Sequence, residues 1–171
     1  MSLLDPNIQN YIVDSFNIID NSGNKLGSIK TSLWNNDKFT LVDSDKSVLL
    51  KTKKKRFGWK NKFQVTDASG NLIGTFSGDL IMEDKNGNKI LTGKIPNEKD
   101  APCKIYNNEG ESLADLTTMS STRFRWLRQP ESWNLHILEL SFDRILLLAF
   151  CLVAYGENYN AHQASGYDGG G

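Results

Sequence analysis

Residues Phe142–Tyr155 read FDRILLLAFCLVAY. From Ile145 to Tyr155 no side chain is charged or strongly polar, so a helix built from them has no stripe to give to water. A membrane span needs about 20 apolar residues, and runs of about 10–14 more often mark a buried core helix. A helix that is apolar all round has to be enclosed on every side. The rest of the chain must therefore supply a wall.

The wall is written as a repeated hairpin. FNIIDNSGNKLGSI (16–29) and FQVTDASGNLIGTF (63–76) share a Phe, a β-branched residue two further on, the run D-x-S-G-N, and then Leu or Ile before Gly-Ser or Gly-Thr. LIMEDKNGNKIL (80–91) and CKIYNNEGESLA (103–114) follow the same plan more loosely. In all four, apolar residues stand four and two before an Asp or Asn, Gly follows three after it, and Leu or Ile six after it. Asp or Asn opens such a turn by binding nearby amides, and Gly takes the left-handed position that closes it. The flanking alternation gives each strand one apolar face.

Other segments fill in the sheet. Phe39–Val42 and Val48–Lys53 read as a pair joined by the polar turn Asp43–Ser47. Gly93–Ile95, Ser112–Thr117, Arg123–Leu127 and Leu135–Leu140 read as single strands, the third with Phe124 and Trp126 inward and Arg123 and Arg125 outward. Ten to twelve strands precede one helix, for which Ser141 or Asp143 is the start signal and Gly156 the stop. The expected fold is mostly β: a closed antiparallel barrel of about a dozen strands around a buried hydrophobic C-terminal helix. Its expected organisation is a short lead at 1–10, a barrel domain at 11–160 with the helix at about 142–156, and a disordered Gly-rich tail at 161–171.

Bulk properties narrow the function. The 171 residues carry 20 Lys+Arg and 20 Asp+Glu, where a dedicated nucleic-acid binder is usually basic overall. Cys103 and Cys151 are the two cysteines, which is no disulfide framework and suits a reducing compartment. The N-terminus lacks the basic-then-apolar pattern of a cleaved secretion signal. Counted as calcium loops, positions six and twelve hold Lys25 and Thr31 from Asp20, and Val48 and Lys54 from Asp43, where Gly and Glu are needed. His136 and His162 are the two histidines, and no nucleophile elbow or phosphate-binding glycine loop occurs. The expectation is no catalytic residue, no metal and no cofactor.

The charged concentration lies in VLLKTKKKRFGWKNK (48–62). Lys51, Lys53, Lys54, Lys55, Arg56, Lys60 and Lys62, with Trp59 among them, are the candidate residues for an anionic lipid surface. The plainer reading is a solvated edge strand whose lysines block pairing with other chains.

The order of these features resembles the superfamily that groups phospholipid scramblases, LURP-one-related proteins and the Tubby C-terminal domain. Residues 48–78 resemble its strand, basic stretch and D-x-x-G hairpin, and residues 138–159 resemble its closing strand, helix-opening Asp and buried helix. The resemblance spans about Tyr11–Tyr159 and implies a barrel of about a dozen strands wrapped on a hydrophobic helix. The Pro-rich N-terminal region and cysteine cluster of eukaryotic scramblases have no counterpart here. The expected function is that of a non-enzymatic cytoplasmic module, peripheral at a membrane, which binds anionic phospholipid through the basic face. Nucleic acid is not an expected partner. The alternatives are a protein-interaction scaffold and scramblase-type lipid translocation with the helix as anchor.

Overall fold

A computed structural model describes residues 2–14, 16–32, 35–57, 60–77, 80–94, 102–119 and 132–165. Twelve antiparallel strands close into one barrel: β1 (Asn10–Asp14), β2 (Asn17–Ile19), β3 (Lys25–Ser32), β4 (Asn35–Asp43), β5 (Val48–Phe57), β6 (Lys60–Asp67), β7 (Leu72–Ser77), β8 (Ile81–Glu83), β9 (Lys89–Lys94), β10 (Cys103–Asn107), β11 (Ser112–Met119) and β12 (Ser132–Ile137). Each strand pairs with its sequence neighbours, and β1 pairs with β12, so the sheet has no edge. The helix α1 (Arg144–Ser165) enters the barrel after β12. Leu147 to Ala154 are all buried, as an all-apolar circumference requires. Twelve strands enclose a wider interior than side chains alone fill, and the helix occupies it.

The repeated hairpins share one geometry. Asp20, Asp67, Asp84 and Asn107 each donate a backbone N–H to the residue four on and accept one from the Gly three on. Those glycines all have positive φ, from 82° to 93°. The register shifts beside each turn, which marks a type I turn with a G1 bulge. Hydrogen bonds from the Asn24, Asn71 and Asn88 side chains come first in holding the Asp20, Asp67 and Asp84 carboxyls below the usual aspartate range.

A fifth copy sits at Asp43–Ser47, with the same two backbone hydrogen bonds. The polar turn expected there is present, and it stands outside the repeated pattern because Lys46, at φ 72°, takes the glycine position. Lys46→Gly should therefore raise stability by about 1 kcal/mol by relieving a left-handed conformation that carries a Cβ clash. Urea unfolding of the variant would check this, and an unchanged midpoint would mean that the turn holds Lys46 without strain.

The five turns, the start of β1 and the end of β12 lie at one end of the barrel, since strands alternate in direction. The lead closes that end. Leu3 is fully buried, and Asp43 accepts hydrogen bonds from the Leu3 N–H (2.9 Å) and the Ser2 hydroxyl (3.0 Å). Burial pushes the Asp43 carboxyl up, but the Leu3 and Ser44 amides and Ser2 outweigh it and leave it below the ordinary value.

Arg144, the first residue of α1, is 8 % exposed and has no carboxylate partner among the described residues. Its guanidinium instead donates to the carbonyls of Leu140 (3.0 Å), Pro6 and Ile8 (3.4 Å). Beside it the Tyr11 hydroxyl donates to the Leu3 carbonyl at 3.0 Å. The helix start, β1 and the lead are thus clasped on one buried cation. Arg144→Met should lower stability by about 3 kcal/mol, because three carbonyls lose a charged donor. Amide exchange at residues 2–9 should speed up in the same variant, and a lead that stays protected would show it to be held by Leu3 alone.

Three expectations need correction. Leu135–Leu140 is not all strand: β12 ends at Ile137, and Leu138 and Leu140 are exposed in a turn. There Glu139 accepts from the Ser141 N–H and hydroxyl, and the chain reverses to bring the helix inside. Of the two start signals it is Asp143 that caps α1, accepting from the Ile145 N–H at 2.8 Å. Gly156 does not stop the helix, whose backbone runs on to Ser165 and so takes in part of the expected tail. One interior glycine costs about 1 kcal/mol, which a helix seated by its first half can absorb. Phe16, expected on the apolar face of its hairpin, is 37 % exposed. The strand at Arg123–Leu127 and the rest of the tail, 166–171, lie outside the described residues.

Candidate basic wall

The basic run builds one outer wall, and the alternation of β5 selects which residues belong to it. Leu50 and Thr52 are buried, while Lys51 and Lys53 are exposed and Lys55 is half-buried. Register then adds neighbours. Lys53 lies opposite Lys38 on β4 and Gln64 on β6, Lys51 opposite Thr40 and Thr66, and Lys55 opposite Lys62. Thr40 lies opposite Lys30 on β3, which is also exposed. Lys62 and Gln64 face Ser77 and Thr75 on β7.

The described outer positions of β3 to β7 between their turns therefore hold lysines and neutral side chains, and no carboxylate stands among them. None of Lys30, Lys38, Lys51, Lys53, Lys55 and Lys62 makes an ion pair or side-chain hydrogen bond with another described residue. By contrast, Lys104 on the far side of the barrel pairs with Asp115 at 3.3 Å. Two lysine pairs, Lys38 with Lys53 and Lys55 with Lys62, are directly opposed, an arrangement that destabilises a sheet when left unscreened.

Of the expected residues, Lys51, Lys53, Lys55 and Lys62 are brought together. Lys54 belongs to the other face: it lies opposite Phe63 and holds its ammonium 5.5 Å from that ring's centroid. Arg56 and Lys60 are placed by backbone near the β5–β6 connection, and their side chains and Trp59 lie outside the described residues. Lys30 and Lys38 were missed. Each sits at a polar position of a strand, but only pairing shows which lysines from different strands become neighbours.

Edge protection does not explain these lysines. β5 is hydrogen-bonded on both sides, to β4 and β6, and the closed sheet offers no edge to guard.

Among the described residues the interior shows a small cavity only. An apolar cavity of ≈ 20 Å³ lies between Leu148, Cys151 and Leu152 of the helix and Ile29, Leu41 and Trp133 of the wall. Such a volume holds about one water. Cys151 is buried and Cys103 half-buried, and burial pushes the Cys103 thiol up to about 11 and that of Cys151 higher still. Neither is a thiolate at neutral pH. No helix among the described residues is long and apolar enough to cross a membrane.

No family model and no curated protein matches this sequence. In structure the chain is similar to a protein of Arabidopsis thaliana solved by X-ray crystallography, with a TM-score of 0.56 and 14% identity over 92% of this chain and 98% of that one. At that identity the likeness speaks for fold alone. The class is a closed antiparallel barrel, twelve strands wrapped on one helix, which is the fold that the sequence resemblance implied.

Proposed function

We propose that this chain is a non-enzymatic member of the scramblase, LURP-one-related and Tubby-like superfamily, a cytoplasmic module that binds anionic phospholipid at a membrane surface through the outer wall of β3 to β6. The observation that carries this reading is the pair of opposed lysine couples on a strand with no edge to protect and with no carboxylate among the described outer positions beside them. Like charges kept at that spacing lower stability, and a bound anionic surface turns the same pattern into attraction. Overall neutrality, 20 basic against 20 acidic residues, speaks for a local anion seat over a general polyanion binder.

Co-sedimentation with phosphatidylserine vesicles tests the reading. The protein should pellet with them, remain in solution with phosphatidylcholine vesicles alone, and be released as salt rises past about 0.15 M, where screening lengths fall to about 8 Å. Because binding to the native state stabilises it, the same vesicles should raise the melting temperature. Absence of both effects would sink the proposal, and protein partners captured without lipid would favour the scaffold reading.

A further inference from the structure

We infer that the wall reads the density of negative charge on a bilayer and not the structure of a particular headgroup, and that it docks with the turn end of the barrel held away. This rests on the lipid-binding reading above and adds what the wall can and cannot distinguish.

The first ground is the chemistry of its cations. All those described on the wall are lysines. An ammonium on a flexible stem is a point charge, without the planar fork by which arginine fixes one phosphate in one orientation. The second is geometry. The wall is the outside of a barrel, with side chains standing off a surface that curves away from the ligand. Lysines on one strand recur about 6.7 Å apart and those on neighbouring strands lie about 5 Å apart. Lys51 and Lys55 are thus separated by about 13 Å, too far for one phosphate to bridge. Lys53 stands between them, and Thr66 and Gln64, opposite Lys51 and Lys53, add hydrogen-bonding capacity but no enclosing rim. Opposed couples such as Lys38 with Lys53 can share a phosphate, but no single headgroup spans the wall, and the sum of its charges sets affinity.

The third ground is the distribution of sign along the barrel. The five turns carry Asp20, Asp43, Asp45, Asp67, Asp84, Glu109 and Glu111 against Lys46 and Lys85, an acidic excess outside the core. The lysine wall occupies the middle of β4 and β5 and the half of β6 remote from those turns. An anionic surface attracts one region and repels the other, which orients the molecule. The bilayer suits this arrangement better than a nucleic acid does, because a plane can meet the wall and leave the acidic end free, whereas a long flexible polyanion would trail past it.

The experiment compares full-length protein on vesicles of phosphatidylcholine mixed with phosphatidylserine, phosphatidylglycerol, phosphatidylinositol or phosphatidylinositol bisphosphate, matched in measured zeta potential. Half-binding should fall at the same potential for all four within about twofold, since each lysine contributes through the surface potential alone. Preference for one headgroup by about tenfold or more at matched potential would overturn the inference and leave the parent reading standing. So would displacement by micromolar inositol hexakisphosphate. Failure to bind any of the vesicles would overturn both, as would tighter binding to single-stranded DNA than to vesicles at equal ionic strength. For orientation, an environment-sensitive dye at Gln64→Cys should shift its emission on vesicles while one at Ser69→Cys does not, both in a Cys103→Ser background. A shift at Ser69→Cys alone would mean that the turn end docks.

Discussion

Phe150→Ala should destabilise the barrel by about 4 kcal/mol, and the loss should identify the seat of the helix. Phe150 is fully buried near the middle of the apolar run, and its ring meets Phe76 edge-on at 5.5 Å between centroids. Opposite it the wall has been hollowed at Gly93 on β9. A Cβ added there would collide with Phe150 Cζ, lie 3.1 Å from Cε2 and come within 3.2 Å of Leu80 Cβ. The glycine is there for space. Gly93→Ala should therefore cost about 2 kcal/mol by overpacking, although alanine ordinarily suits a strand better than glycine. The two sites are complementary, so their effects should not add. Gly93→Ala combined with Phe150→Leu puts a methyl where a ring edge has been withdrawn, and the double variant should recover about 1 kcal/mol against the sum of the singles. Urea unfolding of the four proteins of this cycle measures the coupling. Strict additivity would show that the helix is not registered by this contact.

Neutralising the wall should have opposite effects on binding and on stability. In Lys38, Lys51, Lys53, Lys55 and Lys62→Gln together, the loss of about 1 kcal/mol per cation should weaken vesicle binding by more than about a thousandfold. The same change removes both directly opposed lysine couples. Each relieved couple is worth about 0.5 kcal/mol, so the melting temperature should rise by about 2–4 °C. The combination is diagnostic, since a variant that binds less because it is damaged would melt lower. Lys104, tied to Asp115 on the far side, supplies the control, and Lys104→Gln should leave binding unchanged. Binding that survives in the quintuple variant would move the site to another surface.

Much of the barrel was legible because its instructions are short-range. The four Asp- or Asn-to-Gly turns specify themselves, and Ile145–Tyr155 declares that it must be surrounded. The glycines at 27 and 74 were visible as a repeated Leu/Ile-Gly step, and packing supplies their reason: a Cβ at Gly74 would lie 2.6 Å from the Glu83 carbonyl and 2.7 Å from Met82 Cε. The fifth turn was legible as a polar turn, but its kinship with the other four was obscured by one residue, Lys46 in the left-handed place. The Arg144 clasp left no signal, because its acceptors are backbone carbonyls 136 and 138 residues away, which any side chain can accompany.

The candidate site divides along the same line. The sequence by itself determined that a cluster of lysines exists and that it lies on a strand, since composition and period-two alternation are properties of one segment. Only the tertiary structure decided which of them form a surface. Pairing between β3, β4, β5 and β6 brought Lys30 and Lys38 beside Lys51 and Lys53, and pleat turned Lys54 toward Phe63. Closure of the sheet removed the edge that would have given those charges a merely protective purpose. Register and closure arise from the summed packing of all twelve strands on one helix, and no single stretch of the chain encodes them.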